Sequence, residues 1–120
     1  MFHGDLLGER ARITPERTAL VEIATGRRFS YADLDRRAVR AARGIAGLGV
    51  APGDRVGLLS HNRVEFLDVF FGAPKGGFIV VPLSTRATPV EIAAIAADCS
   101  MKRLVYEASF HDAVREVEAL

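Results

Sequence analysis

The run Phe78-Ile79-Val80-Val81-Pro82-Leu83 limits the fold of this chain more than any other segment. It is continuously apolar and β-branched at three successive positions, which suits an extended strand and demands cover on both faces. Sheets covered on both faces are built by helical crossovers, so helices should flank the run. Pro82 cannot donate to a central ladder and therefore belongs at the end of the strand.

The flanking sequence supplies those helices. Thr88, Pro89 and Glu91 provide the N-cap, first-turn proline and third-position acid of a helix reaching about Asp98. Arg103 to Tyr106 then reads as a strand and Ser109 to Leu120 as an amphipathic helix. Upstream, Asn62 is placed to cap a helix from Arg63 to about Ala73, apolar on more than one face and broken by Pro74 to Gly77. Arg55 to Ser60 is a short apolar strand before it. Ser30 and Asp33 form a capping box for a helix over Tyr31 to Leu48, with Gly49 at its end. Before that, Leu6 to Ile13 predicts a short helix, and Thr18 to Ala24 with Arg28 to Ser30 predicts a hairpin around Thr25-Gly26. The expected fold class is α/β: a β-hairpin followed by alternating helix-strand units that form a largely parallel sheet.

Composition sets the functional bounds. With 120 residues, 49% of them hydrophobic, the chain suits one globular domain spanning 1–120. Sixteen basic against fifteen acidic side chains give a net charge of +1, and no aromatic ladder accompanies the arginines, so nucleic acid is not an expected partner. No apolar run nears the roughly 20 residues of a membrane span. The single Cys99 and an N-terminus without an export signal point to a cytoplasmic protein.

Chemistry-bearing residues do not converge in the sequence. His3, His61 and His111 have no second His or Cys at ligand spacing, so no metal site is expected. Ser60-His61 falls at the carboxyl end of a predicted parallel strand, where open sheets place ligands, without a G-x-S-x-G elbow around it. His61 is thus either a ligand-facing residue or part of a structural turn. The carboxylate pairs Asp33 and Asp35, and Glu116 and Glu118, should be solvated. Gly72 to Gly77 with Lys75 has the composition of a phosphate loop but follows a helix and precedes a strand, the reverse of the order that aims N–H groups at an anion. It is expected to terminate a helix.

Several segments resemble, in order, the adenylate-forming (AMP-binding) enzymes, most closely the acyl-CoA synthetases and acid-CoA ligases. Phe29 to Leu34 is similar to that family's TYxEL element. Leu48 to Val56 (LGVAPGDRV) is similar to LGVxPGDRV, Asn62 to Phe66 to NxxEF, Pro74 to Leu83 to LKAGGxxVPL, and Thr88 to Ile92 to LTPxEL. Asp98 to Tyr106 is similar to DSGARVLV. Gly72-Ala73-Pro74, Ser84-Thr85 and Cys99 depart from the pattern. The resemblance covers about residues 14 to 108 and implies an incomplete N-terminal subdomain of the adenylate-forming fold.

What the resemblance implies is a ligase of acyl or fatty acid metabolism that joins an acid to ATP with Mg to give an acyl-adenylate, then transfers the acyl group to coenzyme A. The family's phosphate loop, aromatic-glutamate pair, ribose-binding aspartate and C-terminal lysine have no counterpart in residues 1–120. The chain is therefore expected to bind no cofactor alone, to be inactive, and to carry no catalytic residue. Arg86 matches an arginine that in some members faces the phosphates of coenzyme A, and is the one expected cofactor contact. The helical tail from Asp112 lacks a stop signal, which favours a piece of a longer ligase. Its partners would be the missing remainder or a complementing chain, with self-association through exposed apolar surface. Two other readings stay open: a stand-alone interaction module derived from the family, and an unrelated flavodoxin-like binding domain.

Overall fold

The structure, a computed structural model, describes residues 4–120, so His3 lies outside the described residues. Helix α1 (Leu6–Ile13) precedes an antiparallel hairpin of β1 (Thr18–Val21) and β2 (Arg28–Ser30). The remaining elements alternate: α2 (Tyr31–Ala46), β3 (Arg55–Leu59), α3 (Val64–Gly76), β4 (Ile79–Pro82), α4 (Pro89–Asp98), β5 (Met101–Tyr106), and a 3-10 turn leading into α5 (His111–Glu118). Strands β4, β3 and β5 form a parallel sheet in that order, as the alternation requires.

Parity along the strands sorts the helices onto two faces. Val56 and Leu58 of β3 pack with Val80 and Val105 against α2 and α3, in a core that includes Ile45, Val69, Ala73 and Phe78. Leu59 packs on the opposite face with Val81, Leu104 and Tyr106 against Ile92 of α4 and Val114 of α5. A further apolar layer joins Leu7 of α1, Phe29 of the hairpin, Leu34 and Ala38 of α2 and Val64 of α3. Helix α3 thus lies between two cores, which is why its sequence is apolar on more than one face.

The local signals for α2 and α4 hold in detail. Ser30 and Asp33, and Thr88 and Glu91, form reciprocal capping boxes. Helix α2 ends at Ala46, two residues short of the expected Leu48, and Gly49 takes φ +87°.

Three expectations are corrected. Asn62 does not cap α3: Arg63 occupies the N-cap position without a side-chain bond, because Phe66 N–H already returns to the Arg63 carbonyl and leaves Asn62 one residue too early. Pro74 does not break α3, which runs on to Gly76 and ends at Gly77 in the left-handed region, φ +74°. A proline so near the C-terminus forfeits a single backbone bond, and the real stop is the glycine that can take a positive φ. The run around β4 is not covered on both faces: β4 is an edge strand and Ile79 is 51% exposed. The strand buried on both faces is the central one, β3, where Val56 to Leu59 are all buried. Among the described residues no helix is long and apolar enough to cross a membrane.

Candidate functional site

The chain leaves β3 for α3 on one face of the sheet and leaves β5 for α5 on the other. Neighbouring strands whose connections diverge open a crevice at their carboxyl ends, the place where open α/β sheets receive ligands. A crevice of about 330 Å³ lies there, lined by Ser60, Arg63, Glu65, Asp68, Tyr106 and Glu107 above apolar Leu58, Val69 and Val105.

Glu107 is its centre. The carboxylate accepts the backbone N–H of His61 at 3.0 Å, lies 3.0 Å from His61 Nδ1, and accepts Arg63 Nη1 at 3.0 Å on its other oxygen. Its own N–H donates to the Leu59 carbonyl at 2.9 Å, which continues the β3–β5 ladder by one residue. The His61 N–H, followed by the His61 ring and Arg63, holds the carboxyl down to about 2 against the opposing effect of burial. Phe110 stacks on the His61 ring with centroids 5.0 Å apart. The turn after β3 and the turn after β5 are therefore tied into one unit.

This geometry assigns His61 to the structural turn. Ser60 Oγ donates to the His61 carbonyl at 2.8 Å rather than to its ring, so the two do not form a nucleophile and base. Deeper in the crevice Asp68 accepts Arg37 Nε and Nη2, both at 2.9 Å, a bidentate bond between α3 and α2. The Asp68 carboxylate keeps the Arg37 guanidinium above its ordinary range. Sequence reasoning missed Glu107: the predicted parallel strand ends just before it, which does not mark the residue itself. Asp68 and Arg37 carry no sequence signal of their pairing.

The other candidates scatter. Arg86 is exposed in the turn after β4; its N–H donates to Ser84 Oγ at 3.2 Å, and it has no ion pair among the described residues. It stands beyond a carboxyl end of the sheet but does not line the crevice. Asp33 is bonded to Arg36, not merely solvated, and Asp35 to Lys75. Lys75, near the C-terminal end of α3, also meets Asp5, the N-cap of α1, at 2.9 Å, so it ties three helices together. A wider groove of about 810 Å³ runs from the hairpin turn to the first turn of α3, past Val21, Ile23, Val64 and Phe66. Its charged pair, Glu22 and Arg27, is closed on itself at 2.9 Å.

The residues present do not fit ATP with Mg. Among the described residues no three His, Cys, Asp or Glu are gathered for a metal. The N-termini of α1, α2 and α4 are filled by Asp5, Ser30 and Thr88 side chains; those of α3 and α5 have no side-chain cap but follow His61-Asn62-Arg63 and Ala108-Ser109-Phe110, which hold no glycine to form a phosphate cradle.

Relatives place this fold. The chain is 41% identical over 105 residues to the long-chain-fatty-acid–CoA ligase FadD13 of Mycobacterium tuberculosis, covering 88% of this chain and 21% of that protein. It is 34% identical over 110 residues to a feruloyl-CoA synthase of Amycolatopsis, covering 92% of this chain and 22% of that one. It superposes on the inhibitor-bound N-terminal domain of FACL13 from Mycobacterium tuberculosis with a TM-score of 0.92 and 38% identity, over 98% of this chain and 29% of that structure. For the anthranilate CoA ligase AuaEII in complex with anthranoyl-AMP the TM-score is 0.88 at 28% identity, over 96% of this chain and 22% of that one. The chain thus spans about a fifth of the length of the relatives it matches. Residues 7–120 match the family described as AMP-binding enzyme, and with the parallel sheet, the ordered motifs and these superpositions agreeing, the chain belongs to the AMP-binding enzyme family, in which it corresponds to the N-terminal part of acyl-CoA ligases.

Proposed function

We propose that this chain supplies the N-terminal scaffold of an ATP-dependent acid–CoA ligase, and that alone it catalyses neither adenylation nor thioester formation. The observation that carries the proposal is the superposition of 98% of the chain on a ligase N-terminal domain, set beside polar clusters that are internally satisfied. Glu107 is closed on His61 and Arg63, Asp68 on Arg37, and Lys75 on two carboxylates. Such groups hold the scaffold in shape, each charge already matched by a partner within the chain. ATP, Mg and coenzyme A belong to the complete enzyme, and the first step there joins a carboxylic acid to AMP with release of pyrophosphate. Relatives whose names specify fatty, ferulic and anthranilic acids support a carboxylic acid as the substrate class. The lone free Cys99 supports a reducing, cytoplasmic setting.

Arg86 is proposed as the contact to coenzyme A, supported by its exposure past a carboxyl end of the sheet and its lack of an ion pair among the described residues. A phosphate would supply the missing counter-charge.

The test is acid-dependent ATP–pyrophosphate exchange. The isolated chain should show none. A chimera in which it replaces the matching segment of the mycobacterial ligase should regain exchange and acyl-CoA formation. In that chimera Arg86→Ala should raise KM for coenzyme A about tenfold, the equivalent of about 1.4 kcal/mol, and leave exchange unchanged. Exchange by the isolated chain, or a folded but inactive chimera, would overturn the proposal.

A further inference from the structure

Helix α2 carries its exposed arginines along one line. At 3.6 residues per turn, Arg36, Arg40 and Arg43 fall within an arc of about 60°, opposite the buried Leu34, Ala38, Ala42 and Ile45, and all three are exposed. Two of them have a local reason to be there. Arg36 is answered by Asp33 one turn before it, and Arg43 lies in the last turn, where the helix dipole favours a cation. Arg40 has neither. It stands one turn from Arg36 and one turn from Arg43, with like charge on both sides, a spacing that destabilises a helix.

The hairpin brings a further arginine to the same place. Arg28 of β2 is exposed, and with Phe29, Asp33, Arg36, Arg37 and Arg40 it lines a shallow hollow of about 350 Å³. One wall of the hollow is fixed. Asp33 holds Arg36, Asp68 holds Arg37 at 2.9 Å, and the Arg37 guanidinium lies 5.5 Å from the centre of the Phe29 ring. Arg28 and Arg40 have no ion pair among the described residues. With Asp33 and Asp68 set against Arg36 and Arg37, the hollow keeps two uncompensated positive charges, those of Arg28 and Arg40.

A guanidinium presents a planar fork of donors that fits one phosphoryl group through two parallel bonds. Two free forks on one hollow therefore suit two linked phosphoryl groups, and they supply the counter-charge without a metal ion. The occupant is a small anion and not a membrane or a protein face, because no exposed large apolar residue lines the hollow: Phe29, its one apolar residue, is buried. We propose that Arg28 and Arg40 form a binding site for a small diphosphate anion, with Arg36 and Arg37 as its fixed wall. The proposal stands on these residues and not on the family reading.

Calorimetric titration in magnesium-free buffer at low ionic strength tests it, on the isolated chain and on the chimera carrying the rest of the mycobacterial ligase. The probes are inorganic pyrophosphate, ADP and orthophosphate. Pyrophosphate should bind one to one, about tenfold or more tightly than orthophosphate. Arg28→Gln and Arg40→Gln should each weaken it about tenfold, and Arg43→Gln and Arg103→Gln less than about twofold. Arg40→Lys keeps the charge but loses the fork, and should weaken binding about fivefold. ADP separates the two sources of the group: tighter binding than pyrophosphate assigns the site to an esterified diphosphate, weaker binding to the free anion, and either result supports the site. Without any anion, Arg40→Gln should not lower the urea midpoint, since it relieves repulsion from Arg36 and Arg43.

No binding of pyrophosphate or ADP, or orthophosphate bound as tightly as pyrophosphate, would overturn the proposal. So would Arg40→Lys binding like the native chain, or Arg43→Gln weakening binding as much as Arg40→Gln, because the attraction would then be diffuse. A lowered urea midpoint in Arg40→Gln would make Arg40 structural and overturn it as well. Binding that is present in the isolated chain and absent from the folded chimera overturns it equally, since the rest of the ligase would then cover the hollow. Where one of the two proteins does not fold, the other decides.

Discussion

Lys75 and Asp35, forty residues apart in sequence, form an ion pair where the C-terminal end of α3 meets α2, and Asp5 at the cap of α1 closes on the same ammonium. The Lys75 side chain is only 10% exposed. Burial pulls its pKa down, yet the bonds to the two carboxylates together outweigh burial and raise it above 10.5. Lys75→Met should lower stability by about 1.5–3 kcal/mol, the range for hydrogen bonds to charged groups, read as a shift of the urea midpoint.

The same pair fixes an alkaline response. A group whose folded pKa exceeds its unfolded value stabilises fully below the unfolded pKa, and the contribution fades as pH rises through the folded one. Stability of the native chain should therefore decline above about pH 10.5 more steeply than that of Lys75→Met, in urea titrations at stepped pH.

Gly72 decides how closely α2 and α3 approach. A Cβ built there would lie 3.1 Å from the Ala38 carbonyl oxygen and 3.4 Å from the Ala42 nitrogen, both backbone atoms that cannot yield alone. Gly72→Leu should cost about 1–3 kcal/mol through overpacking, and thermal unfolding should show it. A neutral result would mean that the helix pair can slide apart freely.

These residues show what could and could not be read in the sequence. The capping boxes at Ser30 and Thr88 are local, within three residues, so both helix starts were legible. The same holds for the strand at Arg55 and the alternation that makes the sheet parallel. Gly72 looked like part of a helix terminator because its role lies in α2, thirty-odd residues away, and close approach leaves no local mark. Pro74 misled for a related reason: its cost depends on how many turns follow it, and Gly77 sets that. The run at Ile79 to Pro82 looked like a covered strand because a short apolar, β-branched run reads alike at the edge and at the centre of a parallel sheet. Of the site, the sequence marks the strand that ends before Glu107 but not Glu107 itself, whose partners lie over forty residues away, and Arg37 and Asp68 meet only through the packing of α2 on α3.

Ser30 offers a local test of that legibility. Its hydroxyl accepts Asp33 N–H at 3.0 Å while Asp33 returns to Ser30 N–H at 2.8 Å. Ser30→Ala should cost about 1 kcal/mol and fray the first turn of α2, measured as faster amide exchange at Asp33.

Glu107 gives the acid counterpart to Lys75. Its carboxyl is lowered from 4.5 to about 2, first by the His61 N–H and then by the His61 ring and Arg63. A depressed folded pKa stabilises fully above the unfolded value and is lost as pH falls through the folded one. The contribution should disappear between about pH 4.5 and pH 2, and the two turns it ties should part. In that window His61 N–H exchange should rise ahead of global unfolding, because the amide loses its charged acceptor while β3 and β5 remain paired. Glu107→Gln keeps an acceptor oxygen for the His61 N–H but gives up the charge that holds Arg63, so its stability should fall at neutral pH and vary less across the acid range. If the variant matched the native chain at pH 7 and followed the same acid curve, Glu107 would be an ordinary surface carboxylate, and the turns after β3 and β5 would be held by the sheet alone.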